Sequence, residues 1–567
     1  MVKLKWILCK ILLIHLIILY SNLSAGTNDV DFTSSNLPII VIDTHGQYIP
    51  YDDPRIIADM GIIYNGDGVR SNITDPFNNY YGKISIEVRG QSSAGWLKKS
   101  YNVETQNEDG SNNNVSLLGF PTENDWILHA PYYDRSFMRN VLSHHIYRSM
   151  GWYSSRTKYC ELVLNGEYKG IYILMEKIKR DDDRVDIDKL DTEDITGDDV
   201  TGGYIVKIDK DAYSEPGFYS LYPSPPGQNV YLKYQYHDPK DDELTDEQKT
   251  YIKNYISSFE TAMNAGFGDD PVYGYAKYLN VASFVDNFII NELSKNVDGY
   301  RLSTFFYKDK DSKGGKLVAG PLWDFNFSFG NAGYYNSEKT DEWQIEYFLE
   351  NTAFQVSDQF HAPFWWRQLL DDPAFKQKVY DRWEALRSSL LNEESLFEYI
   401  DGIRELLDES KDRNFEIWIG PGDPKAPGDG WFPPDYPISS FETYDDEINY
   451  LKSWIHDRIT WMDEEIALFS SIESPNELYP TDFAIKKVYP NPFNSYTTIL
   501  INLDKSQNIN LCLYNVSGEK VADLINQNYE AGEKQIPLNL NYLASGVYLL
   551  RLTGQHYVSS KKIVLMK

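Results

Sequence analysis

Cysteine is scarce, with three in 567 residues: Cys9, Cys160 and Cys512. Cys9 sits in an apolar N-terminal stretch, so at most one disulfide could form among the rest. Cys160 and Cys512 each alternate with apolar neighbours, the setting of buried free thiols. Stability must then come from packed cores, for which a 42% hydrophobic and 15% aromatic composition is suited. Long apolar runs are also missing beyond the first 20 residues, so no later segment reaches the roughly 20 apolar residues a membrane helix needs. Basic charge is in deficit, 54 Lys and Arg against 84 Asp and Glu, for a net charge of -30. Such a surface repels nucleic acid and anionic lipid and suits solubility outside the cell. His-Glu-x-x-His, Gly-x-Ser-x-Gly, Walker A and paired Cys-x-x-Cys motifs are absent, which argues against a zinc protease, a serine hydrolase or a P-loop ATPase.

What is present begins with Lys3 and Lys5 ahead of a short apolar run broken by Lys10, then Ser24, Ala25 and Gly26. This is the pattern of a cleavable signal peptide over 1–25, with no transmembrane segment in the mature chain. Strand signals follow at 38–42, at 84–88 where Ile84, Ile86 and Val88 alternate with polar residues, and at 100–104. Asn165-Gly166 between apolar alternations predicts a type I′ hairpin. Helical spacing predicts helices over 134–150, 245–265, 281–295 and 443–469. The last carries a Thr443/Asp446 capping pair and a buried stripe of Ile448, Leu451, Ile455, Ile459, Met462 and Ile466. Short strands are expected at 303–308 and 316–319. A Gly/Pro-rich loop covers 420–437, a linker 471–481, and regular turn signals over 482–567 predict a small β-sandwich.

Nine short segments, in order, carry a resemblance. They are Arg89-Gly-Gln-Ser-Ser93, Lys98-Lys-Ser-Tyr101, Asn124-Asp-Trp-Ile-Leu128, Tyr133-Asp-Arg-Ser-Phe-Met-Arg-Asn140, Leu164-Asn-Gly-Glu-Tyr-Lys-Gly-Ile-Tyr172, Glu176-Lys-Ile178, Gly202-Gly-Tyr204, Asn296-Val-Asp298 and Trp323-Asp-Phe-Asn-Phe-Ser-Phe-Gly330. Together they resemble the CotH-like family of atypical secreted kinases. The resemblance implies an α+β, atypical protein-kinase-like two-lobed domain over 37–470 that uses ATP with Mg2+ or Mn2+. Phosphoryl transfer needs cations around phosphates, carboxylates for the metal and a carboxylate for the acceptor hydroxyl. Arg89 with Lys98 or Lys99 flanks a small-residue turn suited to phosphates; which lysine faces inward is left open, because strand neighbours face opposite sides. Glu176 is a candidate partner for that lysine, and Arg139 a candidate phosphate contact or a structural ion pair. By resemblance Asp298 is the catalytic aspartate; Asp324, set among aromatic residues, is the metal ligand with Asn326. Two positions depart from the family pattern: Asn326 stands where an aspartate is common, and Ser303 where an asparagine is. Both weaken metal binding, so a weak kinase or a surface binding protein on the same fold is the alternative reading.

The C-terminal segments Tyr489-Pro-Asn-Pro-Phe-Asn494, Leu513-Tyr-Asn-Val-Ser-Gly518 and Gly546-Val-Tyr548, with Lys561, Lys562 and Lys567, resemble the type IX secretion sorting domain, here an Ig-like all-β sandwich over 482–567. This implies a diderm bacterial source of the Bacteroidota kind, the type IX machinery as partner, passage through the periplasm and a secreted or surface location. The acceptor is then a secreted or surface protein, with no nucleic acid partner.

Overall fold

Ile84, Ile86 and Val88 turn to one side of their strand, and that face is the inner wall of a closed seven-stranded barrel. The computed structural model describes residues 30–51, 53–210, 215–224, 229–418, 441–470, 483–503, 505–515, 520–554 and 558–567. The signal peptide, the loop over 420–437, the linker over 471–481 and the turn residues 516–518 lie outside them. The barrel strands are β1 (Ile39–Asp43), β2 (Ile56–Ile63), β3 (Tyr80–Arg89), β4 (Ser100–Gln106), β5 (Asp125–His129), β6 (Thr157–Leu164) and β7 (Glu167–Glu176). They run in the order β1-β2-β3-β4-β5-β7-β6, and β6 closes the circle by pairing in parallel with β1. Asn165 and Gly166 between β6 and β7 both take positive φ, 52° and 80°, as a type I′ turn demands.

The outer face of β7 is apolar too. Ile171, Ile173 and Met175 leave the barrel wall and join Val141, Leu142 and Ile146 of helix α1 (Arg139–Ser149) in a second, larger core. α1 begins five residues later than its spacing predicts, because the Asp134 carboxylate accepts bonds from Ser136 N, Ser136 Oγ and Arg139 N and holds the preceding residues in a turn. The same core covers one five-stranded sheet, β8 (Tyr204–Ile208), β9 (Gly217–Pro223), β10 (Tyr231–Asp238), β11 (Thr304–Lys308) and β12 (Val318–Ala319), in the order β9-β10-β8-β11-β12. The strands β8 to β10 were not read from the sequence.

Helices α2 (Asp246–Ala265) and α3 (Val281–Ser294) start where their caps place them: Thr245 and Gln248 form a capping box, and Asn280 accepts from Ser283 N. Six further helices, α4 (Gln344–Glu350), α5 (Thr352–Ser357), α6 (Trp365–Asp371), α7 (Pro373–Arg387), α8 (Glu393–Leu406) and α9 (Asp408–Ile417), lead to α10 (Tyr444–Ser470). Thr443 and Asp446 cap α10 reciprocally, and its predicted apolar stripe is buried throughout. The C-terminal region is all β. Strands β13 (Ala484–Tyr489), β14 (Tyr496–Leu503) and β17 (Gly532–Asn539) make one sheet; β15 (Gln507–Tyr514), β16 (Lys520–Tyr529), β18 (Gly546–Thr553) and β19 (Val558–Leu565) make the other, and one apolar core fills the space between them. Cys160 and Cys512 are free and buried. No helix among the described residues is long and apolar enough to cross a membrane.

Two ion pairs fasten α10 to the rest, all four side chains being fully buried. Arg139 Nη1 lies 2.8 Å from Glu447 Oε1, and Arg458 Nη2 lies 3.1 Å from Glu292 Oε2 on α3. Removing one partner strands the other charge in the core, at a cost of about 3–5 kcal/mol. Arg458→Met is therefore expected to lower the thermal midpoint sharply, and Glu292→Gln combined with Arg458→Met to recover part of the loss. Additive losses in the double variant, read by thermal denaturation, would contradict the pairing.

Candidate functional site

The turn after β3 folds back tightly on itself. Gly90 has φ 109°, and a Cβ there would meet Ser93 Oγ at 1.9 Å, so only glycine fits. Arg89, the last residue of β3, lays its guanidinium 4.6 Å from the centroid of the Trp323 ring. Trp323 precedes Asp324, so this stacking brings the barrel to the segment that carries the candidate metal ligands. Burial lowers the pKa of Arg89, with Asp324 and Asp209 opposing the shift.

Asp298 lies in the turn that follows α3. Glu292 on the same helix braces that turn by accepting from Tyr300 Oη at 2.8 Å. The backbone around the site is strained: Tyr300, Ser303 and Asp324 take φ of 69°, 46° and 63°. Such conformations persist only where surrounding contacts over-determine them, and they cluster at functional sites. Asp324 is exposed to water yet closely flanked by protein. Desolvation, then the charge of Asp298, push its pKa up to about 7 against the pull of Arg89. Asp298 is raised as well, by burial, with Arg301 and Lys210 opposing. Asn326 is 6% exposed, and its backbone carbonyl accepts from Asn331 Nδ2.

The other candidates are engaged elsewhere. Lys98 is buried, and its ammonium donates to Ile171 O at 2.6 Å and to Asn414 Oδ1 of α9 at 2.7 Å. Lys99 donates to Ala94 O at 2.7 Å. The two lysines thus anchor the turn rather than project from it. Glu176 takes Arg156, not a lysine, as partner: Nη1 lies 2.6 Å from Oε1, and Arg156 N donates to Oε2. Arg139 is fully buried with Asp134, Ser136 and Glu447 around it, and its Nε donates to Phe329 O. Its geometry is that of the ion-pair alternative, and it holds the end of the segment that starts at Trp323.

Two residues the sequence reading did not single out complete the cleft. The register sets Ile208 of β8 opposite Thr304 of β11, which brings Asp209 next to Ser303; Ser303 N points to Asp209 Oδ1 at 3.4 Å. The following residue, Lys210, reaches across to the β3 turn and donates to Ser92 Oγ at 3.0 Å. The segment after Gly202-Gly-Tyr204 contained the only signal that could have found them.

Among the described residues, no three His, Cys, Asp or Glu side chains converge closely enough to hold a metal ion by themselves. A site of one carboxylate and one amide, Asp324 and Asn326, fits Mg2+ nevertheless, since this ion is commonly held by one or two carboxylates plus phosphate oxygens. The mutual repulsion of Asp298 and Asp324 is what a divalent cation would relieve. In the unfolded chain an aspartate ionises near 3.9, whereas Asp324 keeps its proton to about 7. The folded state therefore binds more protons between these values, and the stability this group contributes is full below about 4 and lost as pH rises through 7. Asp324→Asn, which tolerates the same backbone, is expected to melt with the wild type near pH 4 and above it at pH 8 in metal-free buffer. Coincident melting curves across that range would contradict the strained carboxyl.

Residues 86–462 match the family model described as CotH kinase protein. Residues 487–566 match the one described as Secretion system C-terminal sorting domain. No curated protein matches the chain.

Proposed function

The chain belongs to the CotH kinase protein family, and from this premise we propose that it is an exported kinase transferring the γ-phosphoryl group of ATP to Ser or Thr hydroxyls of secreted or surface proteins. The observation that carries the reading is the meeting of Arg89, Asp298 and Asp324 beside the Gly90 turn, between the barrel and the helical half of the domain. These two halves stand for the two lobes of a kinase-like fold. Mg2+ or Mn2+, when bound with ATP, supplies positive charge to the phosphates. Asp324 and Asn326 hold that ion, and Arg89 offsets phosphate charge from the barrel side. Asp298 orients the acceptor hydroxyl and takes its proton. Arg139 and Glu176 act through the backbone they brace.

A second reading, a surface binding protein with slow or no turnover, draws on the uncharged Asn326 and on Glu176 being paired with Arg156. Radiolabelled phosphotransfer with Mg2+ or Mn2+ and calorimetry of ATP binding separate the two. Asp298→Asn is expected to leave ATP binding nearly intact and lower turnover by about 100-fold or more. Asp324→Asn is expected to weaken the metal-dependent part of ATP binding, since a charged oxygen ligand becomes neutral. Wild-type turnover in Asp298→Asn would remove the catalytic assignment, and a wild-type protein that binds no nucleotide would leave only the second reading.

The sorting domain marks the chain for the type IX machinery. Release from the cell or attachment to its surface, after passage through the periplasm, follows from that. Deletion of residues 482–567 is expected to leave a folded, undelivered protein in the periplasm; normal surface or medium levels in cell fractionation would refute the delivery role.

A further inference from the structure

A lysine that grips phosphates must stand near both carboxylates and the small-residue turn, with ammonium protons it can give up to a ligand. Lys98 does not meet this. Its ammonium is buried between two strong acceptors, Ile171 O and Asn414 Oδ1, and burial drives its pKa well below the ordinary lysine range. Lys99 bonds the turn's own Ala94 carbonyl and lies over the Tyr51 ring at 5.4 Å. We propose that Lys210 is the nucleotide's phosphate-gripping lysine, and that its bond to Ser92 is a resting contact which phosphate displaces.

Four observations carry this. Lys210 is half-buried, and among the described residues its ammonium donates to one neutral hydroxyl, Ser92 Oγ, a weaker acceptor than a phosphate oxygen. Its backbone is fixed while its side chain reaches: Gln235 Nε2 donates to the carbonyls of both Asp209 and Lys210, and Asp209 Oδ1 accepts from Lys210 N. The β8–β11 register puts the preceding residue, Asp209, opposite Ser303, so Lys210 follows directly on from the strand end nearest the Asp298 turn. From there its charge acts on both Asp298 and Asp324 while its ammonium bonds Ser92 of the turn. Lys210 thus spans the two halves of the cleft that a triphosphate would have to bridge, and Ser92 marks where the barrel side meets it.

The inference rests on the kinase reading, and its test separates the two. Calorimetry on the full chain compares ATP with AMP, each with Mg2+, in the wild type, Lys210→Gln, Lys210→Arg and Ser92→Ala. Lys210→Gln is expected to weaken ATP binding by about 10- to 100-fold, the worth of hydrogen bonds to charged groups. AMP binding and the thermal midpoint should change little, and Lys210→Arg should recover part of the ATP affinity. Ser92→Ala should bind ATP as tightly as the wild type or more tightly. Equal losses for ATP and AMP, a Lys210→Gln protein that binds ATP like the wild type, or a Ser92→Ala protein several-fold weaker would overturn the proposal while wild-type binding keeps the kinase reading. A wild-type protein that binds neither nucleotide overturns both.

Discussion

Helix α10 delivers two opposite charges to the middle of the protein, and the cleft is hung from them. Glu447 meets Arg139, whose Nε also holds Phe329 O at the end of the Trp323–Gly330 segment. One helical stretch further on, Arg458 meets Glu292 and bonds the carbonyls of Thr340 and Glu342. Glu292 in turn accepts from Tyr300 and from the N–H groups of Gln344 and Ile345. The two segments that carry Asp324 and Asp298 are therefore each tied to α10 through one buried guanidinium. A buried ion pair is a poor source of net stability but a demanding one in geometry, since every lone pair and proton must be met. Here that demand falls on the backbone just behind the candidate site.

The barrel side is organised differently, by neutral acceptors. Lys98 carries its charge into the interior and places it on Ile171 O and Asn414 Oδ1, while Asn414 also accepts from Ile171 N. Asn414 packs where Gly170 has no side chain: a Cβ there would meet its Oδ1 at 2.4 Å. Helix α9, the β7 strand and the approach to β4 are thereby locked through one ammonium and one amide. The turn that ends at Lys99 is anchored there on one side, and by the Lys99 bond to Ala94 O on the other.

Local chemistry was legible in the sequence wherever the deciding partner is a few residues away. Asn165-Gly166, the Thr443/Asp446 cap and the stripe along α10 were read correctly because turn and helix geometry are set within a window of several residues. Two packed sheets at the C-terminus were legible from regular alternation. The partners of Lys98 and Glu176 were not, because they are chosen by packing: Asn414 lies 316 residues from Lys98. Strand β8 escaped notice since Tyr204, Ile205, Val206 and Ile208 are buried on both faces and show no period of two. With β8 unread, Asp209 and Lys210 had no place in the cleft.

The same packing explains why the acids of the cleft are uncomfortable. Asp298 and Asp324 sit where desolvation and each other's charge favour the neutral form, on a backbone with several residues in left-handed conformations. A fold selected for stability alone would relax the left-handed backbone, because such conformations cost on the order of 1–3 kcal/mol each. The pair of buried guanidiniums behind the segments ties that backbone to α10. The charge of Asp298 stands close enough to Asp324 to oppose its ionisation. A ligand that brings positive charge lowers the energy of that arrangement, and one that brings negative charge alone must find its cations at Arg89 on the barrel side and at Lys210, which reaches toward the barrel from beside the acids.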